Sequence, residues 1–210
     1  MAKVELLIQT NKLKVAVGPL LTELNGDAFT PNEWKRLSEK KRNDQRMQSA
    51  SALLLARELM KSNASILHDS SGRPFSTDLD WNVSLSHSSF LVAAGLARAP
   101  LRIGIDIENL RELRDFSVLQ KYVPAVGEDL QPLADLWKCD EHRALIALWS
   151  LKESFFKAVS EDLIPQSLRF KLSSQTLMVE RLVQGEWEPI EGTQIEVFFR
   201  GDHVITAIAF

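Results

Sequence analysis

The sequence has little cysteine, tyrosine or histidine: one cysteine (Cys139), one tyrosine (Tyr122) and four histidines among 210 residues. A single thiol excludes an intramolecular disulfide and any thiolate metal cluster, and Cys139 reads as a bystander. No apolar run approaches the ~18 residues that a membrane span needs. Met1-Ala2-Lys3-Val4-Glu5 has no apolar signal region behind its charge, so a cytoplasmic protein without membrane association is expected. The net charge of −3 gives no overall pull towards nucleic acid. The basic stretch from Lys35 to Arg46 also lacks interleaved aromatic side chains beyond Trp34, which argues against a nucleic-acid partner. There is neither a Walker-type loop nor a dinucleotide fingerprint. What is present, 45% apolar and 25% charged residues, is ordinary for a globular chain and sufficient for one large domain or two small ones.

Apolar patterning divides the chain. Val4 to Gln9 and Leu13 to Val17 read as short strands, and Thr30-Pro31-Asn32-Glu33 opens a helix with a capping-box pattern and proline at its first position. A second helix is expected from about Arg46 to Lys61, then a turn at Ser70-Ser71-Gly72-Arg73-Pro74. Trp81 to His87 and Phe90 to Ala97 look like a hairpin, and Arg98-Ala99-Pro100 breaks the pattern. Past that break, a strand runs from Arg102 to Glu108, followed by an irregular stretch containing Pro124, Gly127 and Pro132. A long helix should start near Asp140-Glu141 and run to about Ser160, stopped by Pro165. Leu168 to Leu172, Leu177 to Val183, Ile195 to Phe199 and His203 to Phe210 then read as one small antiparallel set. The expectation is an α+β fold in two similar halves, residues 1–100 and 101–210, with Pro100 at the boundary.

The chemistry concentrates in two segments. In Gly104-Ile105-Asp106-Ile107-Glu108, strand alternation sends both carboxylates to one face and both isoleucines to the other, and the carboxylates lie about 7 Å apart along the backbone. Such a pair suits a hard cation such as magnesium, although a solvated edge strand has the same pattern. In Trp149-Ser150-Leu151-Lys152-Glu153-Ser154-Phe155-Phe156-Lys157, Glu153 and Lys157 share a helix face, as a surface ion pair worth ~0.3–0.5 kcal/mol would. Lys152, next to Glu153, points about 100° away from it. His87 ends a strand inside Ser84-Leu85-Ser86-His87-Ser88, where it is a structural residue or, when charged, a phosphate ligand. Arg73 sits in a rigid turn. Together the segments suggest metal-assisted phosphate chemistry, and a magnesium-dependent phosphohydrolase would use the same carboxylates.

Four motifs in order, Gly72-Arg73-Pro74, Ser86-His87-Ser88, Gly104 to Glu108 and Trp149 to Lys157, resemble those of the 4′-phosphopantetheinyl transferases of the larger, two-subdomain branch. The resemblance implies two α/β subdomains related by a pseudo-twofold, with the active site in the cleft between them. It implies transfer of phosphopantetheine from coenzyme A to a serine of an acyl, peptidyl or polyketide carrier protein, releasing adenosine 3′,5′-bisphosphate. It further implies Mg²⁺ held by Asp106, Glu108 and Glu153. Glu153 would also take the serine proton, directly or through a water on the metal, while Lys157 steadies the diphosphate. On the coenzyme side it points to Arg73 and His87 holding the 3′-phosphate, with Arg46 a weaker third member, and to Ser86 and, less directly, Lys152. The basic first helix would either near the coenzyme phosphates or meet an acidic carrier. Two halves in one chain complete the cleft, so a monomer is expected. A homologue that binds coenzyme A or a carrier without transfer is the alternative.

Overall fold

The computed structural model describes residues 4–111, 116–159, 164–174 and 176–210. The chain enters as an antiparallel pair, β1 (Glu5–Gln9) and β2 (Leu13–Pro19), whose turn is closed by Thr10 Oγ1 accepting from the Leu13 amide at 2.8 Å. Helix α1 (Pro31–Glu39) begins as its sequence suggests: Glu33 Oε2 reaches back to accept the Thr30 amide at 2.8 Å. Helix α2 (Asn43–Met60) follows, and then β3 (Ile66–His68) and β4 (Pro74–Ser76) form a two-stranded ribbon across the Ser70–Pro74 turn. Gly72 takes φ +87° there, which a side chain would resist. The hairpin of β5 (Trp81–His87) and β6 (Leu91–Arg98) completes an antiparallel sheet in the order β1-β2-β6-β5.

Past Pro100 come β7 (Ile103–Asn109), α3 (Phe116–Tyr122), α4 (Leu130–Trp137) and α5 (Glu141–Val159). Strands β8 (Leu168–Ser173), β9 (Thr176–Val183), β10 (Glu186–Pro189), β11 (Gln194–Arg200) and β12 (His203–Ala209) end the chain. Two expectations need correction. The stretch expected to be irregular holds α3 and α4. Pro132 is tolerated because it stands in the first turn of α4, where an amide has no intrahelical partner to lose. The last strands do not form one set: β10-β9-β8 is a separate sheet, while β12 lies between β11 and β7. The ribbon β3–β4 and strand β10 were not foreseen. The expected end of α5 at Ser160 falls outside the described residues.

The fold is α+β, and strand alternation explains its layers. The odd-numbered residues Leu13, Val15, Val17, Ala93 and Ala97 of β2 and β6 face Ile103, Ile105, Ile107, Ile205 and Ala207 of β7 and β12, forming a core between the two sheets. The opposite face of the first sheet packs on α2 through Ala16, Ala94 and Leu96, and that of the second packs on α5 through Val204 and Ile208. The order is therefore helix, sheet, sheet, helix. Gly104 permits close approach of β7 to α5, since a Cβ there would lie 1.7 Å from the Ser154 carbonyl oxygen. Among the described residues no helix is long and apolar enough to cross a membrane.

Candidate active site

Because Gly104, Asp106 and Glu108 share one face of β7, both carboxylates are carried under α5. Asp106 and Glu108 are only 5% and 9% exposed. A buried carboxylate must be matched by donors, and Asp106 is. Its Oδ1 accepts from Ser86 Oγ at 2.8 Å and Lys157 Nζ at 2.7 Å, and its Oδ2 accepts from Ser150 Oγ at 2.9 Å. Ser150 is held in turn by Thr206, the cross-strand partner of Asp106, at 2.8 Å. Trp149 Nε1 donates to Glu108 Oε1 at 3.1 Å. Glu153 stands one turn after Trp149 and one turn before Lys157 on α5, so helix periodicity puts it on the same face as the two side chains that reach Glu108 and Asp106. Strand β5 meets β7 edge to edge, where the Ile105 amide donates to Ser84 Oγ at 3.0 Å. Three of the four motifs thus converge on Asp106.

The fourth, Gly72-Arg73-Pro74, lies between two cavities, and Gly72 and Pro74 line both. The larger, of about 660 Å³, opens between the halves and is lined by Arg73, Arg102, Lys157, Ser84 and Phe156 among others. Arg73 bridges the halves by donating from Nη2 to the Phe156 carbonyl at 3.0 Å, near the end of α5 where carbonyls lack helical partners. The smaller, of about 420 Å³, has an apolar floor including Leu37, Leu53 and Leu85, and a rim with Arg36, Lys40, His68 and His87. Its carboxylate, Glu33, is turned inward on Arg57 at 3.2 Å. Desolvation, then the charges of Lys157 and Lys40, lower the pKa of His87. Burial, then Arg36 and Lys40, push that of His68 down to about 4. Both cavities are therefore suited to anions.

Two residues of the expected set lie elsewhere. Lys152 is fully buried and turned from the cavities, with Nζ donating to Glu128 Oε2 (2.6 Å), the Val123 carbonyl (2.7 Å) and the Leu168 carbonyl (2.9 Å). Desolvation lowers its pKa, opposed by the charge of Glu128. Arg46 closes the end of α1, donating to the carbonyls of Leu37 at 3.1 Å and Lys40 at 2.8 Å. Sequence reasoning missed Glu128, the individual roles of Arg36 and Lys40, and Arg102. The spacing of Arg36 and Lys40 by four, flanking buried Leu37, was the available signal for one cationic helix face.

Among the described residues no group of three or more His, Cys, Asp or Glu side chains is gathered as a ready metal site. The donor chemistry nevertheless fits Mg²⁺: Asp106 and Glu108 are hard carboxylate oxygens on one face of β7, and Glu153 on α5 is a third of the same kind.

A family model for the 4′-phosphopantetheinyl transferase superfamily matches residues 102–207, just over half of the chain, taking in β7, α5 and the strands through most of β12. No curated protein matches the sequence.

Proposed function

The chain belongs to the 4′-phosphopantetheinyl transferase superfamily, and we propose that it is a member of the larger, two-subdomain branch that moves phosphopantetheine from coenzyme A to a carrier-protein serine. The observation that carries this reading is Lys157, whose ammonium touches Asp106 and Ser86 while lining the cavity shared with Arg73 and Arg102. The halves 1–100 and 101–210, related by a pseudo-twofold, would each supply one wall.

Asp106, Glu108 and Glu153 would hold Mg²⁺, which when bound offsets charge on the diphosphate. Arg102 and Lys157 orient the diphosphate in the larger cavity, joined by Arg73, which lines that cavity and is assigned to the diphosphate rather than to the 3′-phosphate. The 3′-phosphate end fits the smaller cavity, with His87, Arg36 and Lys40 as its cations and Ser86 beside it. Arg46 and Lys152 are not included: Arg46 is turned to the carbonyls that close α1, and all three N–H groups of Lys152 are engaged away from the cavities. Glu153 accepts the serine proton. The serine Oγ then bonds to the phosphorus that bears the pantetheine arm, and the bond from that phosphorus to the bridging oxygen breaks. Adenosine 3′,5′-bisphosphate leaves with the bridging electron pair, steadied by Lys157. One chain supplies every group named, so a monomer suffices, and a small acidic carrier is the partner.

The test is incubation with coenzyme A, Mg²⁺ and a panel of unmodified acyl, peptidyl and polyketide carriers, followed by intact mass. A chelator-sensitive gain of one phosphopantetheine is expected. Coenzyme A binding without any gain would replace transferase with a binding homologue.

A further inference from the structure

We propose that Lys157 is an exchangeable counterion that couples occupation of the carboxylate seam by a divalent cation to binding of the coenzyme's diphosphate. The inference rests on the reading of the cleft as a phosphopantetheinyl-transfer site.

An ammonium has three N–H groups. All three of Lys157 are engaged, with Ser86 Oγ at 3.0 Å, the Ile105 carbonyl at 3.1 Å and Asp106 Oδ1 at 2.7 Å. In this state Lys157 has no N–H left for an anion in the cavity, and Asp106 Oδ1 already carries a positive partner. Of the three donors on Asp106, Ser86 and Ser150 are short hydroxyls fixed on β5 and α5. Lys157 alone among them has a long stem, and its side chain is 31% exposed. It is therefore the donor that can leave.

A cation arriving at Asp106 meets the ammonium as a like charge, so its binding is opposed until Lys157 moves. A diphosphate between Arg73 and Arg102 gives the ammonium a new anion to meet. The same ion pair must open for both ligands, and opening it for one removes the cost for the other. Their affinities must rise together by a common factor.

The experiment titrates Mg²⁺ by calorimetry into wild type, Lys157→Met and Arg102→Met, each with and without saturating coenzyme A. Circular dichroism and melting confirm the folds, and Lys157→Gln replaces the Met variant if that one fails to fold. For wild type, coenzyme A should tighten Mg²⁺ binding about tenfold, within the usual span of coupling between sites. Lys157→Met should bind Mg²⁺ alone about tenfold more tightly than wild type, with the additional gain from coenzyme A reduced at least about threefold. A damaged site would lose metal affinity rather than gain it. Without coenzyme A, Arg102→Met removes a cleft charge that does not touch Asp106 and should shift the metal by less than about twofold, because exposed charges are screened.

No gain in Lys157→Met, or an equal gain in Arg102→Met, overturns the proposal while leaving phosphopantetheinyl transfer intact. Failure of the underlying reading has a different signature: wild type takes up no coenzyme A with or without metal, and the coupling falls with it.

Discussion

Two histidines line the smaller cavity, share Lys40 as a neighbouring cation and make separable predictions. His68 titrates near 4 in the folded protein against an ordinary 6.5, so it resists protonation that the unfolded chain accepts. Its contribution is fully present above pH 6.5 and declines as pH falls towards 4. Replacing it with Gln should flatten the loss of stability across that window by about 1–3 kcal/mol, read from urea denaturation at several pH values. His87, also lowered, must gain a proton to hold a phosphate. Coenzyme A affinity should then increase as pH falls below neutrality in wild type and less so in His87→Gln. His87→Ala should weaken coenzyme A several-fold more than dephospho-coenzyme A, whereas equal losses would remove His87 from the 3′-phosphate. For the seam, Asp106→Asn keeps partners for Ser150 and Ser86, whereas Asp106→Ala would leave them and Lys157 stranded in a buried place. The Asn variant should fold and lose about a hundredfold or more in turnover, measured by carrier mass shift.

Elements show why equal-looking motif residues have unequal fates. Lys152 and Lys157 stand in one helical motif, yet Lys157 looks into the cleft and Lys152 ties α5 to β8 and to the segment between α3 and α4. Glu128 completes that tie by accepting the amides of Ala125 at 2.7 Å and Phe170 at 2.6 Å. Removing one member of a buried ion pair strands the other, so Glu128→Ala should cost about 3–5 kcal/mol in urea denaturation, and Lys152→Met paired with Glu128→Leu distinctly less. Gly104→Ala drives a Cβ into the Ser154 carbonyl and should cost about 3 kcal/mol together with most activity, since α5 must lift from Asp106. The sequence made the face of β7 legible, because strand alternation is local. It also pointed to the i, i+4 face of α5 and the cap of α1. The structural role of Glu128 was not legible, because apart from the nearby Ala125 amide its partners Lys152 and Phe170 lie 24 and 42 residues away and only the fold introduces them. The pairing of β12 with β7 rather than with β8–β10 was hidden for the same reason: each strand alternates equally well in either sheet.

At the scale of the molecule, the apolar face between the two sheets ties the fate of one half to the other. Leu13, Val15 and Ile105 are buried to 3% or less on that face. Unfolding should therefore be a single transition, with far-ultraviolet dichroism and tryptophan fluorescence coincident in urea, since the tryptophans span both halves. The pseudo-twofold is an implication of the family resemblance alone: a helix packs on a sheet on each side of the core, while the order of elements differs between the halves and β8–β10 form a sheet of their own. The ribbon β3–β4 belongs to neither large sheet. A two-stranded hairpin has little stability of its own, and this one is the shared partition of the two cavities, with Arg73 at its tip. Its amides should exchange with deuterium faster than those of β6 in the free protein. A ligand touching both cavities would freeze that partition, so residues 66–76 should slow more than any other strand segment once coenzyme A is bound, making the hairpin a natural clock for how long the substrate stays.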